Sequence, residues 1–282
     1  MNHDVNEWTG ARVSLSVQGP IAIVRFYNPP HGTMDEAMEN ELAQVLDRLD
    51  AWPDGRVVVL TGRDPGMFIR HYDVGVLHAR AQHLIARGKT FSTDRPVPQG
   101  GIHRCLDRID ASPLIFIAAI NGVAMGGGFE LALGCDIRLV QEGEHALGLP
   151  EINLGLLPGA GGTQALARLL GTGQALFLIL TGKVLRPQEL VGLGLAAVCV
   201  DDVLANAMTL AAQLAAAPAR ACAHIKQLVR QAGRWSLAEG QAVERTLFCD
   251  CMVDPAAQPL MQAVAEHLRT IEDRPPPVRL PA

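Results

Sequence analysis

Two short runs, Arg56-Val57-Val58-Val59-Leu60-Thr61-Gly62 and Leu114-Ile115-Phe116-Ile117-Ala118-Ala119-Ile120, hold almost nothing but apolar side chains. Successive residues of a strand face opposite sides, so a run that is apolar throughout must be covered on both faces. Helices do that covering in an α/β fold, and the chain is therefore expected to be α/β.

The surrounding segments agree with that class. Residues 13–17 and 21–26 read as strands joined at Gly19-Pro20. Residues 34–49 carry Met38, Leu42, Val45, Leu46 and Leu49 at helical spacing. Asp35 is a candidate cap there, or Glu36 and Glu39 simply favour the positive end of that helix. Residues 75–101 begin helical and then turn into a Pro- and Gly-containing loop, a candidate cover for a site. A helix ends near Ile109 and Ser112-Pro113 breaks it before the second apolar run. A Gly-rich turn, a helix over 128–135 and a strand over 136–140 follow, so strand, strand, helix recurs. Beyond residue 200 only helices are expected, over 204–216, 219–231, 236–250 and 255–269, with disorder from Arg274 through the prolines. The boundary near 200 divides an α/β core, 1–200, from a helical region, 201–282. At ~150 residues per domain, 282 residues fit about two such units.

Composition narrows the function. With 24 basic and 29 acidic residues, net −5, nothing draws the chain to nucleic acid or an anionic membrane. No apolar stretch approaches the ~20 residues of a membrane helix. Residues 1–20 lack a basic region followed by an apolar one, so a cytoplasmic protein is expected. The six cysteines, at 105, 135, 199, 222, 249 and 251, make no C-x-x-C pair and no zinc spacing, and no metal is expected.

The most informative segment is Asn121-Gly122-Val123-Ala124-Met125-Gly126-Gly127-Gly128-Phe129-Glu130-Leu131-Ala132-Leu133-Gly134-Cys135-Asp136-Ile137. Glycines between a buried strand and a helix leave backbone N–H groups uncovered at the positive end of that helix. Such a place holds an anion, or an oxygen that becomes one during reaction. A tight turn that permits close packing is the plainer alternative. The second glycine segment, Pro158-Gly159-Ala160-Gly161-Gly162-Thr163-Gln164, fits neither a dinucleotide fingerprint nor a P-loop, lacking the final Gly of one and the Lys of the other.

The longer string resembles the enoyl-CoA hydratase/isomerase (crotonase) family, whose second oxyanion segment reads N-G-x-A-x-G-G-G-x-E-L-A-x-x-C-D. Residues 149–164, LPEINLGLLPGAGGTQ, are similar to its P-E-x-x-x-G-x-x-P-G-x-G-G-T-Q. Residues 68–74 stand where the family has F-x-A-G-A-D, and Lys226 matches a family helix. The likeness spans roughly 12–250. It implies a spiral of ββα units, with the helical C-terminal region packing chains into homotrimers or homohexamers. It implies an acyl-CoA thioester substrate, with coenzyme A arriving as part of it and no other cofactor. The Tyr72 and Gly127 N–H groups would hold the thioester oxygen, and Glu130 and Glu151 stand where the family's hydratases carry catalytic glutamates. Glu130 would take a proton from water and Glu151 give one to the α-carbon. Substrate contacts are expected from Thr33, Arg70, His71, Asp73, Gly126 and Pro150.

The first segment departs from the pattern. Arg70 and His71 replace small residues, and the His71 backbone is expected to be strained if the position requires a glycine angle. His71 could be a third catalytic group, a substrate contact, or a side chain turned outward. Gly32 stands where the family has Asn, beside the nucleotide part of coenzyme A. The resulting expectation is an enoyl-CoA hydratase. The rivals are an isomerase, hydrolase or decarboxylase on the same scaffold, or a non-catalytic acyl-CoA binder.

Overall fold

A computed structural model describes residues 7–274, and the expected disorder past Arg274 lies outside them. The strands are β1 (Glu7–Thr9), β2 (Val13–Gln18), β3 (Ile21–Phe26), β4 (Val57–Gly62), β5 (Gly66–Ile69), β6 (Ile115–Ile120), β7 (Gly122–Met125), β8 (Ile137–Gln141), β9 (Leu147–Gly148) and β10 (Val198–Val200). The helices are α1 (Glu36–Asp50), α2 (Val74–Ala86), α3 (Gly101–Ala111), α4 (Gly127–Gly134), α5 (Gly162–Leu170), α6 (Thr172–Thr181), α7 (Pro187–Gly192), α8 (Val203–Ala215), α9 (Ala219–Gln231), α10 (Leu237–Met252) and α11 (Gln258–Ala265).

Seven strands form one sheet, ordered β1-β2-β3-β4-β6-β8-β10, antiparallel over the first three and parallel from β3 onward. A second, parallel sheet holds β5-β7-β9. The chain thus repeats one move: β4, β6 and β8 lie in the large sheet, and β5, β7 and β9 follow them into the small one. Helices come next each time, which is the expected spiral of ββα units.

The two apolar runs are β4 and β6, and their alternate residues go to two different cores. Val58, Leu60, Phe116, Ala118 and Ile120 join Met38, Leu42, Val45 and Leu46 of α1. Val57, Val59, Ile117 and Ala119 join Val203, Ala207, Ala211 and Ala212 of α8. The first helix past residue 200 is therefore part of the core, its alanines letting its backbone lie close to the sheet. From α9 to α11 the only buried side chain is Lys226.

The expected Gly-rich turn before α4 is mostly strand. Residues 122–125 form β7, and a side chain on Gly122 would collide with the Gly66 backbone of β5 at 1.8 Å. The turn is confined to Gly126, and α4 begins one residue earlier than expected. Every residue of α4 from Gly127 to Leu133 is buried, so this short helix is the hub of the fold. Asp35 caps α1 by accepting from the Met38 N–H at 2.8 Å.

Candidate active site

The chain after β5 builds one wall of a cavity of about 770 Å³. Arg70 donates its N–H to Gly32 O at 2.8 Å, and Met125 donates to Arg70 O at 3.0 Å. Met34 N–H then reaches His71 O, and Asp73 N–H reaches Met34 O, both at 2.8 Å. Along an extended chain successive N–H groups point to opposite sides. Those two bonds therefore leave the Tyr72 N–H aimed away from Met34, with no protein acceptor among the described residues.

The opposite wall is the start of α4. Gly126 has φ +49° and ψ −128°, a conformation that is essentially glycine's alone. Gly128 lies so close to β5 that a Cβ would stand 2.2 Å from Ile69 O. Between them, Gly127 is the first helical residue, and its N–H is one of the donors that a helix leaves unpaired. A Cβ on Gly127 would fall 3.6 Å from Tyr72 Cβ, so the two free N–H groups belong to neighbouring residues.

Glu130, one turn into α4, is 4% exposed. Its Oε1 accepts from Ala160 N at 2.7 Å and Gly162 N at 2.8 Å. The second glycine segment thus serves as an anion cradle at the start of α5, with a carboxylate of the same chain in it. Burial pushes the Glu130 carboxyl above its ordinary range, and these two N–H groups pull it back. Glu151 opens the 3-10 turn Glu151–Leu154. Its Oε2 is buried without a protein partner, and burial, reinforced by the Glu130 charge, lifts its pKa to about 7. Both carboxyl groups line the cavity that Tyr72, Gly126, Gly127, His71 and Pro150 also line.

The remaining expected residues divide. His71 does face the cavity, and its φ is not positive, so the expected backbone strain is absent. Its Nδ1 lies 2.7 Å from Tyr72 O, which can only accept, so Nδ1 carries the proton and Nε2 is left free. Thr33, Arg70 and Asp73 do not line the cavity. Asp73 caps α2 by accepting from Gly75 and Val76, and the Thr33 hydroxyl donates to it at 3.3 Å. Arg70 is exposed, its backbone committed on both sides to the neighbouring chain.

His103 and Glu39 line the cavity without having been expected there. His103 accepts from Gly100 N–H through Nδ1 and donates from Nε2 to Gly159 O at 2.8 Å, tying α3 to the glycine cradle. Glu39 belongs to the buried face of α1. Its signal was its position, three residues before Leu42 and seven before Leu46, on the stripe that the helix turns inward. Among the described residues no group of three His, Cys, Asp or Glu could hold a metal, and no helix is long and apolar enough to cross a membrane.

A family model for enoyl-CoA hydratase/isomerase matches residues 16–271. A probable enoyl-CoA hydratase of Bacillus subtilis (strain 168) is 30% identical over 261 residues, covering 90% of this chain and 95% of that protein. The fatty acid oxidation complex subunit alpha of Shewanella putrefaciens is 36% identical over 214 residues, 74% of this chain but only 28% of that much longer protein. A crystal structure of an enoyl-CoA hydratase from Geobacillus kaustophilus matches with TM-score 0.83 at 26% identity, over 97% of this chain and 98% of that one. By sequence and by fold alike, the chain belongs to the enoyl-CoA hydratase/isomerase family.

Proposed function

We propose that the chain is an enoyl-CoA hydratase, adding water across the 2,3 double bond of an enoyl-CoA thioester. The observation that carries this reading is the pair of carboxyl groups, Glu130 and Glu151, sharing one cavity with two unpaired backbone N–H groups. The Tyr72 and Gly127 N–H groups hold the thioester oxygen, where negative charge collects once C3 is attacked. Glu130 takes a proton from water as the hydroxide oxygen bonds to C3. Glu151 then gives a proton to C2. The environments support this division. Burial raises both carboxyls; the Ala160 and Gly162 N–H groups oppose that rise at Glu130, whereas Glu151 is lifted to about 7 and the Glu130 charge adds to its rise. One proton must return from Glu130 to Glu151 before the next turnover. The balance needs only water and the thioester, so no cofactor beyond the substrate's own coenzyme A is invoked.

The same reading extends to assembly. Helices α9 and α10 leave Val229 and Phe248 largely exposed, as is Val253 at the end of α10, and we propose that these faces meet in a homotrimer or homohexamer. The direct test is loss of conjugated-enoyl absorbance on adding protein, with the 3-hydroxyacyl-CoA product identified by mass. Appearance of a shifted double bond or of free coenzyme A instead would reassign the reaction within the family.

A further inference from the structure

Two carboxylates among the described residues are both buried and on the cavity wall, Glu130 and Glu39, and hydration as proposed uses only the first. Glu39 is 9% exposed on a helix face otherwise made of Met38, Leu42, Val45, Leu46 and Leu49. The Tyr72 phenol and the Ile102 N–H at the start of α3 are the groups that favour its ionised form, against burial. Room for it is built in: a Cβ on Gly101 would stand 2.3 Å from Glu39 Oε2.

Its place along the cavity follows from its neighbours. His103 lies near enough to act electrostatically on both Glu39 and Glu130. Glu39 thus shares the cavity lining with Tyr72, His103 and Glu130. Asn40 and Glu36 line the same wall. A plain alkyl chain laid there would strip water from a carboxylate and return nothing. A carboxylate has about four acceptor positions, of which two neighbours can fill at most two. A hydroxyl on the chain would fill another.

We propose that Glu39 is a specificity residue that selects acyl-CoA thioesters whose acyl chain carries a hydroxyl beyond the double bond. The proposal rests on the reading of this cavity as an acyl-CoA site. In this proposal the acyl chain, held at the Tyr72 N–H, runs along the part of the cavity that Glu39 lines.

The test separates recognition from chemistry by using saturated thioesters. Calorimetric Kd values are measured for a series of ω-hydroxyacyl-CoA thioesters of increasing length, each against the unsubstituted acyl-CoA of the same length. At one chain length the hydroxylated ligand is expected to bind about tenfold tighter or more, the worth of a hydrogen bond to a charged group. Glu39→Gln, which keeps one acceptor oxygen, retains part of that preference, and Glu39→Leu abolishes it. No preference in the wild type at any length overturns the proposal. So does a Glu39→Gln variant that weakens both ligand classes equally, since a merely structural role predicts that outcome. Absence of hydration of the matching enoyl thioesters, with the binding preference intact, would overturn the hydratase reading and leave Glu39 as the selecting group.

Discussion

A methyl group added to Gly126 would stand 3.1 Å from Oε1 of Glu151, and the Gly126 backbone already holds a φ of +49°. One residue thus fixes the turn that frees the Gly127 N–H and leaves the space into which the second carboxyl projects. Gly126→Ala is strained in its backbone and displaces Glu151 as well. Strain of this kind costs about 1–3 kcal/mol, to be read as a lowered Tm. Hydration should fall further than that loss of stability explains, because the chemistry depends on carboxyl placement. Wild-type rates at a temperature where the variant is fully folded would contradict the role given to this turn.

The two acids are expected to work as a unit. Glu130→Gln and Glu151→Gln should each lower kcat about 10²–10⁴-fold with the fold intact. The double variant should lose far less than the product of the two, since removing either partner already disables the shared water. Near-normal hydration by either single variant would end the two-carboxylate mechanism. Strict additivity would mean that the groups act in separate steps.

Much of this arrangement was legible before any coordinate. The runs around Val59 and Ile117 announced strands covered on both faces, and α1 and α8 supply the covers. Apolar periodicity reads well where one element meets one core. It fails at β5 and β9, where strands of four and two residues are too short to show a period. It fails again at Gly122, whose glycine marks the contact of two backbones where a loop was expected. Glu130 and Glu151, singled out by their motifs, both line the cavity. Thr33 and Asp73 lie instead at the cap of α2, off the cavity lining, and a cap shares its residue types with a ligand contact. Glu39 was read as an acid favouring the first turn of α1, and only its helical phase with Leu42 could have marked it as buried.

Glu151 gives the protein a defined pH signature. Its carboxyl rises to about 7 in the folded chain, from about 4.3 when unfolded, so the native state binds the extra proton between those values. The contribution to stability is full below the unfolded pKa and is lost as pH rises through about 7. Glu151→Gln, which carries no charge at any pH, should flatten this part of the Tm profile. As the proton donor, Glu151 should also make kcat fall above pH about 7 in the wild type. A kcat that rises through that region would make it the base and Glu130 the acid.

Assembly is open to a direct measurement. Val229 is 70% and Phe248 64% exposed, on helices that bury almost nothing within the chain, and Val253, which ends α10, is 72% exposed. Sedimentation at micromolar concentration should therefore give three or six times the mass of one chain. Phe248→Glu should move the distribution toward smaller species, because a charge buried at such a contact has no partner waiting. A single-chain mass for the wild type would remove the assembly proposal.

Lys226 carries the stability of the joint between α9 and the sheet. Its Nζ donates to Ile109 O and Leu114 O at 2.8 Å each and lies 3.0 Å from Asp136 Oδ2, over the face of Phe116. Burial lowers its pKa and the Asp136 charge opposes that shift, so the ammonium persists only because its partners are fixed. Lys226→Met keeps the length of the stem but leaves two buried carbonyls unpaired. Asp136 keeps Arg230 at 2.7 Å and the Phe116 N–H at 2.8 Å. The cost should accordingly fall near the lower end of the range for breaking a buried pair, about 3 kcal/mol, by denaturant unfolding. Lys226 does not line the cavity, so kcat of the folded variant should stay within a few-fold of wild type. A stability unchanged within error would mean that water takes the place of the ammonium between Ile109 and Leu114. A collapse of kcat with stability preserved would mean that α3, and with it His103, is positioned through this lysine.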